Sequence, residues 1–316
     1  MPVPLHTQTV VAFIWDFDRT LIPDNMQGPI FAAYDVDEEA FWAEVAGLPE
    51  YYAKQGVHVD RDTVYLGHLL SYVRAGLMSD LTNDRLRALG AALVPAPGMP
   101  EFMAATRERV SQIPEFAHEG ISVEHYIVST GIRPMIEGSV FGPHVDGIWA
   151  NTLVEEPAPP GYLDRLPVAA ADAPVSAVGY SIDHTSKTRA LFEINKGTNK
   201  NSDINVNARI GEAQRRVPLQ HMVYIADGPS DVPCFSILNA NGGKTLGVYT
   251  LEPRNNHRQV KELQEQGRIQ GMAEADFRPG EGAYLWLMDS LEQIGHEIVE
   301  NRRLAFASIP RPPGHV

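Results

Sequence analysis

Little in this sequence points to disulfides, polyanions or membranes. Its 316 residues include a single cysteine, Cys234, which excludes an intrachain disulfide and lies in a segment typical of a buried helix. The 40 acidic and 26 basic residues give a formal charge of −14, which argues against nucleic-acid and membrane partners. We find no apolar run of membrane-spanning length and no signal-peptide pattern at the start. We therefore expect a cytoplasmic protein.

The apolar pattern predicts an α/β fold. Hydrophobic residues make up 44% and charged residues 21% of the chain, as in soluble globular proteins. Patterns typical of strands lie at residues 10–15, 121–128, 147–154, 177–182, 222–226, 247–249 and 274–277, and most are followed by helical patterns. Strands that alternate with helices predict a Rossmann-like parallel sheet sandwiched by helices, with ligands at the strand C-terminal ends.

One long segment shows only helical spacing. Residues 38–93 contain three helical patterns and no strand pattern, and proline-rich stretches lie at either side of them. We predict a core domain formed by residues 1–24 and 95–305, a small helical cap domain at 25–94, and a C-terminal tail at 306–316. The polar segment 195–217 is read as a solvated loop with its flanking helix.

Two aspartates end the first strand. Side chains at positions i and i+2 of an extended chain point the same way, so Asp16 and Asp18 can face one site. Two carboxylates at the end of a buried strand repel each other and are poorly solvated unless a cation or a shared proton is present. The alternative is a strand that ends in a solvated acidic turn.

Other polar groups follow later elements. Residues 129–131 form a small hydroxyl-bearing turn between a strand and a helix, where backbone N–H groups can bind an anion. Lys187 lies in the first turn of a helix, where its charge opposes the helix dipole. Asp227 and Asp231 follow another buried strand, although Asp231 could simply cap the next helix.

Phosphoryl transfer is the chemistry that needs such a set. A carboxylate can attack phosphorus to form an aspartyl phosphate. Because both reactants are anionic, the attack requires neutralisation by Mg²⁺ on oxygen ligands and by a lysine. A second carboxyl group can protonate the leaving oxygen and then deprotonate the attacking water.

With these residues the chain resembles the haloacid dehalogenase (HAD) superfamily. The superfamily's four motifs are matched in order by residues 16–20, residues 129–131, Lys187 and residues 227–231. The match covers the whole predicted core, and the helical insertion stands where the superfamily's type 1 cap belongs. Residues 149–151, Trp-Ala-Asn, make the phosphoserine-phosphatase-like branch the nearest one.

The resemblance implies roles for the four aspartates. Asp16 would be the nucleophile and a Mg²⁺ ligand. Asp18 would be the general acid/base, with its main-chain carbonyl on the metal, and its presence favours phosphatases over dehalogenases, which lack this carboxylate. Asp227 would bind Mg²⁺, and Asp231 would orient the metal ligands or the motif lysine.

The resemblance also implies a phosphate-binding set. Ser129 and the backbone N–H of Thr130 or Gly131 would hold the phosphoryl oxygens. Lys187 would neutralise the charge of the nucleophile and of the phosphoryl group. We therefore predict a Mg²⁺-dependent phosphatase that hydrolyses a small phosphorylated metabolite. The alternatives are a catalytically silent phosphate- or metal-binding regulatory protein and a phosphotransferase or phosphomutase.

The substrate itself is left open. Phosphoserine phosphatases carry a glutamate in the segment that enters the cap, whereas Asn25 stands at that place, beside Asp24. Arg74 could bind a substrate carboxylate, but a solvated helix arginine is the better interpretation. The cap aromatics could line a pocket, although a helical core accounts for them more simply.

Overall fold

A single twisted sheet organises the part of the chain that the structure describes. The computed structural model describes residues 7–164, 173–251 and 254–307. Seven strands lie in the order β4-β3-β2-β1-β5-β6-β7, and all neighbours are parallel except β3 and β4. The strands are β1 (Val10–Trp15), β2 (Ser122–Ile132), β3 (Gly147–Val154), β4 (Ala177–Tyr180), β5 (Met222–Ala226), β6 (Lys244–Tyr249) and β7 (Gly271–Glu274). This confirms the predicted Rossmann-like α/β class.

Helices cover both faces of the sheet, as the alternating pattern predicts. They are α1 (Gly28–Ala33), α2 (Glu38–Ala53), α3 (Val64–Arg74), α4 (Asn83–Gly90), α5 (Glu101–Gln112), α6 (Pro114–Glu119), α7 (Arg133–Gly138), α8 (Lys187–Lys196), α9 (Val232–Ala240), α10 (Arg254–Glu265) and α11 (Gly282–Ala307). A short 3-10 helix, Pro229–Asp231, precedes α9.

β1 lies at the centre of the sheet, between β2 and β5. Trp15, Phe13 and Val11 pack into one hydrophobic cluster, and the alternate residues of the strand pack into a second cluster on the opposite face. Burial on both faces explains why the strand is an uninterrupted apolar run. The chain passes from β1 to β2 and β3 on one side and later to β5, β6 and β7 on the other. The C-terminal end of β1 is therefore a topological switch point, where α/β sheets bind ligands.

The helices α1 to α4 form the insertion after β1. Asp37 accepts a hydrogen bond from the Ala40 N–H at the start of α2, and Thr82 accepts one from the Arg85 N–H at the start of α4. Phe41 and other apolar residues of these helices join the same hydrophobic cluster as one face of β1. The division into a core and a cap domain stays a prediction.

Several strand boundaries differ from those predicted, most clearly those of β2 and β7. β2 continues to Ile132, so residues 129–131 form an irregular strand end with a register shift against β3 rather than a turn. β7 begins earlier, at Gly271, and ends at Glu274, because these four residues pair with residues 246–249 of β6. Residues 308–316 of the predicted tail lie outside the described residues.

The polar segment 195–217 is more firmly attached than a solvated loop. Arg216 forms a half-buried ion pair with Glu124 of β2, and the buried Asn195 side chain donates to the Val217 carbonyl at 2.7 Å. Burying these polar groups requires such partners.

Two simpler expectations concern the apolar parts of the chain. Cys234 lies fully buried in α9, which agrees with a packing role. Within the described ranges, no helix combines the length and the apolar composition that a membrane span needs.

Candidate active site

The first predicted aspartate lies directly beyond β1. The Asp16 N–H donates to the Ile225 carbonyl of β5 at 2.9 Å, so the sheet pairing fixes its backbone. Its side chain is buried, and Oδ1 accepts a 2.9 Å hydrogen bond from Nζ of Lys187. Lys187 is contributed by the first turn of α8, far along the chain. The structure thus brings the first and third predicted motifs into contact.

Lys187 bridges two carboxylates. It is 1% exposed, and its Nζ also donates to Oδ1 of Asp231 at 2.7 Å. Burial opposes the lysine charge, but the Asp16 and Asp231 carboxylates outweigh it and hold the lysine pKa above its usual value. Asp231 is fully buried and accepts further hydrogen bonds from the Tyr224 and Ser230 hydroxyls, each at 2.6 Å. Asp231 therefore contacts the lysine directly, and its predicted role in orienting the lysine or the metal ligands stays a prediction.

The fourth motif places a second carboxylate beside Asp16. Asp227 follows β5 and is half-buried. The side-chain amide nitrogen of Asn256, in α10, donates to Oδ2 of Asp227 at 3.1 Å. The side-chain Oδ1 of Asn256 accepts a hydrogen bond from the Thr250 N–H at 3.0 Å. This contact fixes the orientation of the Asp227 carboxylate.

These carboxylates fit a divalent cation. Carboxylate oxygens of Asp16, Asp227 and Asp231 lie within 4.8 Å of one another. Burial, followed by the charge of Asp231, raises the pKa of Asp16 to about 6, and burial with the charge of Asp16 raises that of Asp227 to about 8. A hard cation such as Mg²⁺ would relieve this repulsion. Because both Asp231 oxygens already accept hydrogen bonds, Asp16 and Asp227 are the carboxylates suited to bind it.

Asp18 is held by the segment that leads into α1. Its Oδ1 accepts a 2.8 Å hydrogen bond from the Met26 N–H. Burial and the charge of Asp16 raise the Asp18 pKa to about 7, so the carboxyl group can hold or release a proton near neutrality. Asp16 and Asp18 thus have different surroundings, because Lys187 donates a hydrogen bond to Asp16, whereas Asp18 accepts one from the Met26 N–H. The solvated-turn alternative is wrong, since Asp16 is buried and Asp18 is partly buried.

Residues 129–131 lie at the irregular end of β2, next to this cluster. The Ser129 hydroxyl is buried and accepts a 2.9 Å hydrogen bond from the Gly131 N–H, so this N–H already has a partner. A Cβ at Gly131 would lie 2.1 Å from Cε of Met26, so a larger residue there would require the end of the methionine side chain to move. Thr130 faces the cleft described next.

An open cleft connects the predicted groups. Its volume is about 470 Å³, and its walls include Asp16, Asp18, Thr130 and Asp227. Ser129, Lys187 and Asp231 lie behind this surface, within the protein. His184, on the loop before α8, also faces the cleft, and its Nδ1 lies 3.0 Å from Oδ2 of Asp62 in the insertion.

Several supporting residues escaped prediction from the sequence. The Thr130 carbonyl accepts a 2.8 Å hydrogen bond from the Tyr65 hydroxyl of α3 and another from the Asn151 amide of β3. The side-chain Oδ1 of Asn151 in turn accepts a 2.8 Å hydrogen bond from the Ile182 N–H, in the loop that leads to α8. A helix of the insertion is therefore tied to the second motif. Asn151 belongs to the sequence Trp-Ala-Asn that indicated the phosphoserine-phosphatase-like branch. The residues around Tyr65 and Asn256 contain no motif that predicts these contacts.

A protein of similar sequence is known from a bacterium. No protein-family model matches the sequence. An uncharacterized protein of Borreliella burgdorferi is 37% identical over 289 residues, which cover 90% of this chain and 97% of that protein.

Solved structures with a similar arrangement have low sequence identity. A HAD family hydrolase from Salmonella enterica serovar Typhi is 12% identical, with a TM-score of 0.48, over 87% of this chain and 70% of that one. A phospho-aspartyl intermediate analogue of phosphoserine phosphatase is 17% identical, with a TM-score of 0.47, over 84% and 93%. A probable phosphoserine phosphatase from Vibrio cholerae is 14% identical, with a TM-score of 0.49, over 93% and 68%.

The parallel sheet with β1 at its centre and the four motifs gathered at one edge agree with the resemblance drawn from the sequence. The chain belongs to one family with the Borreliella burgdorferi protein, and it has a Rossmann-like α/β fold.

Proposed function

We propose that the protein is a Mg²⁺-dependent phosphatase that hydrolyses a small phosphomonoester through an aspartyl phosphate on Asp16. The observation that carries the proposal is the contact of Lys187 with both Asp16 and Asp231 at the C-terminal edge of the sheet, 2.9 and 2.7 Å away. Because the buried Lys187 contacts Asp16, its charge favours the ionised form of Asp16 more than that of Asp18. Asp16 is favoured as an ionised nucleophile, and Asp18 can serve as the proton carrier.

Asp16 and Asp227, together with the main-chain carbonyl of Asp18, would hold the metal ion. The bound ion supplies charge neutralisation for an anionic nucleophile that approaches an anionic phosphoryl group. Asn256 keeps the Asp227 carboxylate oriented for this role.

Each half of the reaction uses this chain's own groups. An Asp16 carboxylate oxygen forms a bond to phosphorus as the ester oxygen departs, and protonated Asp18 gives its proton to that oxygen. Asp18 is then the base that takes a proton from the water that attacks the phosphorus, which returns free Asp16 and phosphate. Lys187 keeps its positive charge throughout and offsets the charge on Asp16 and on the transferred group.

The cleft sets limits on the substrate. A volume of about 470 Å³ suits a small phosphorylated metabolite, and the net charge of −14 disfavours a nucleic acid or an anionic membrane as partner. The phosphoserine-phosphatase-like branch is the one we propose, on the strength of residues 149–151 and the helical insertion. The single buried cysteine is consistent with a reducing, cytoplasmic compartment.

Removal and return of Mg²⁺ should control both activity and stability. We expect EDTA to abolish turnover of p-nitrophenyl phosphate and Mg²⁺ to restore it. The raised carboxyl pKa values mean that protons stabilise the metal-free protein at low pH, and this stability is lost as pH rises through about 6 to 8. Mg²⁺ binds the ionised carboxylates, so its effect on the melting temperature should be larger at about pH 8 than at about pH 5.5.

Asp227→Asn tests whether this stabilisation arises at the proposed site, because the change removes a proposed metal ligand and keeps the size of the side chain. It should abolish the Mg²⁺-dependent rise in melting temperature. Turnover that survives EDTA, or a stabilisation by Mg²⁺ that is unchanged in Asp227→Asn, would contradict the proposed site. Transfer of phosphate to an added alcohol or sugar, without release to water, would favour a phosphotransferase or phosphomutase.

A further inference from the structure

One cation in the cleft has no role in the mechanism above. Arg19 follows Asp18 directly, is half-buried, and forms part of the cleft wall. Within the described parts of the chain, its guanidinium makes no hydrogen bond and no ion pair. The guanidinium therefore offers hydrogen-bond donors beside the cleft that no described residue uses.

The backbone holds Arg19 in an unusual conformation. Its φ is 56°, in the left-handed region that side chains with a Cβ rarely adopt, and its N–H donates to the Asp24 carbonyl at 3.4 Å. The positive charge of Arg19 acts on Asp18 and Asp227, where it offsets part of the rise in pKa that burial causes. An unstrained residue such as glycine would fit this turn better, so the arginine side chain is the feature that needs an explanation.

Arg19 also borders a second cavity next to the cleft. This cavity has a volume of about 340 Å³ and lies between the start of the insertion and residues 92–94. Arg19 and Asn25 line both cavities. A substrate whose phosphoryl group meets Asp16 and whose alcohol portion reaches the second cavity would pass beside Arg19.

The charges around Arg19 indicate what it binds. The second cavity carries two acidic side chains, Asp24 and Glu38, and neither pairs with Arg19. These acids oppose a negative group deep in the second cavity, so an anion is favoured only at the junction, beside the guanidinium. Lys187 already contacts the Asp16 and Asp231 carboxylates, and a bound metal ion would be held by Asp16 and Asp227, so neither charge is placed to bind a second anion.

We infer that Arg19 is a specificity-determining residue that binds a second anionic group, a carboxylate or a phosphate, on the alcohol portion of a small substrate. The inference rests on the proposed phosphatase function and narrows its substrate class. The guanidinium offers a planar pair of donors that matches either anion, with charge-assisted hydrogen bonds.

Three probes with one carbon skeleton test the inference. Glycerol phosphate ends in a neutral alcohol, phosphoglycerate ends in a carboxylate, and glycerol bisphosphate ends in a second phosphate. The measured quantity is the ratio of kcat/KM for each charged probe to that for glycerol phosphate, with Mg²⁺ present. The wild-type protein should prefer phosphoglycerate, glycerol bisphosphate or both by roughly 10- to 100-fold, and the favoured probe identifies the anion.

Arg19→Gly is the decisive variant, because glycine accepts the left-handed backbone and removes the guanidinium. We expect its melting temperature to equal or exceed that of the wild type, and its preference for charged probes to fall to about one. Arg19→Lys should retain part of the preference, since the charge remains without the paired donors. Arg303→Gln, which removes an exposed arginine paired with Glu300, is the control for net charge and should keep the full preference.

The outcomes separate this inference from the proposed function. If the wild type does not turn over p-nitrophenyl phosphate or any of the three probes, the phosphatase proposal fails. If the wild type turns over p-nitrophenyl phosphate without preferring either charged probe, the inference about Arg19 is wrong. An equal loss of kcat/KM for all three probes in Arg19→Gly would also overturn it, because Arg19 would then act on the shared phosphoryl site.

Discussion

Replacing Asp16 by asparagine should reduce phosphatase turnover by on the order of 10⁴-fold or more, because an amide cannot attack phosphorus. The fold should survive the change. Asparagine has nearly the same shape, and its carbonyl oxygen can still accept the hydrogen bond from Lys187. Removing the charge of one of three crowded acids, two of them buried, should also leave the metal-free protein at least as stable as the wild type near neutral pH.

The measurement pairs steady-state turnover of p-nitrophenyl phosphate with thermal unfolding. Asp289→Asn is a matched control, because it makes the same chemical change at an exposed position of α11. This control should keep full activity. If Asp16→Asn stays folded and retains turnover near that of the wild type, Asp16 is not the nucleophile.

Replacing Lys187 by methionine should produce the largest loss of stability in the site. The side chain is 1% exposed and contacts two buried carboxylates, and breaking a buried ion pair by removing one partner costs roughly 3–5 kcal/mol. Methionine fills nearly the same volume, so the loss reports the unpaired charges rather than a cavity. The deficit should shrink at low pH, where Asp16, whose pKa is raised by burial, can take up a proton.

Urea unfolding of a double-mutant cycle separates these effects. Asp231→Asn removes one of the stranded charges, so adding it to Lys187→Met should recover part of the lost free energy of unfolding. Activity should stay lost in both variants that lack the lysine. A loss below about 1 kcal/mol in Lys187→Met alone would show that the ion pair adds little to the fold.

The sequence was sufficient for the parts of the site that follow from strand ends. Asp16, Asp18 and Asp227 follow buried strands whose C-terminal ends must share one edge of a parallel sheet. Lys187 was only weakly indicated by its place in a first helical turn, where its charge opposes the helix dipole, and the resemblance to the superfamily implied its role. The structure supplies two carboxylate partners for it.

The supporting contacts could not be predicted because they depend on packing between distant segments. Tyr65 reaches the Thr130 carbonyl across 65 positions of the chain, and Asn256 reaches Asp227 across 29. A single tyrosine in an apolar helix or a single asparagine in a charged one resembles many others with no such role. The same reasoning explains the boundary errors: only the pairing partners show that β2 runs on through residues 129–131 and that β7 begins at Gly271.

Capture of the phosphorylated enzyme tests the central claim most directly. In Asp18→Asn, acetyl phosphate can still transfer its phosphoryl group, because acetate leaves without being protonated, but the base that activates water is gone. The variant should therefore accumulate phosphate on Asp16 in the presence of Mg²⁺. Borohydride converts an aspartyl phosphate to homoserine, which mass spectrometry locates in the sequence. Our account predicts homoserine at position 16, absent without Mg²⁺ and absent when Asp16→Asn is added. Homoserine at another aspartate, or none while the wild type turns over acetyl phosphate, would contradict it.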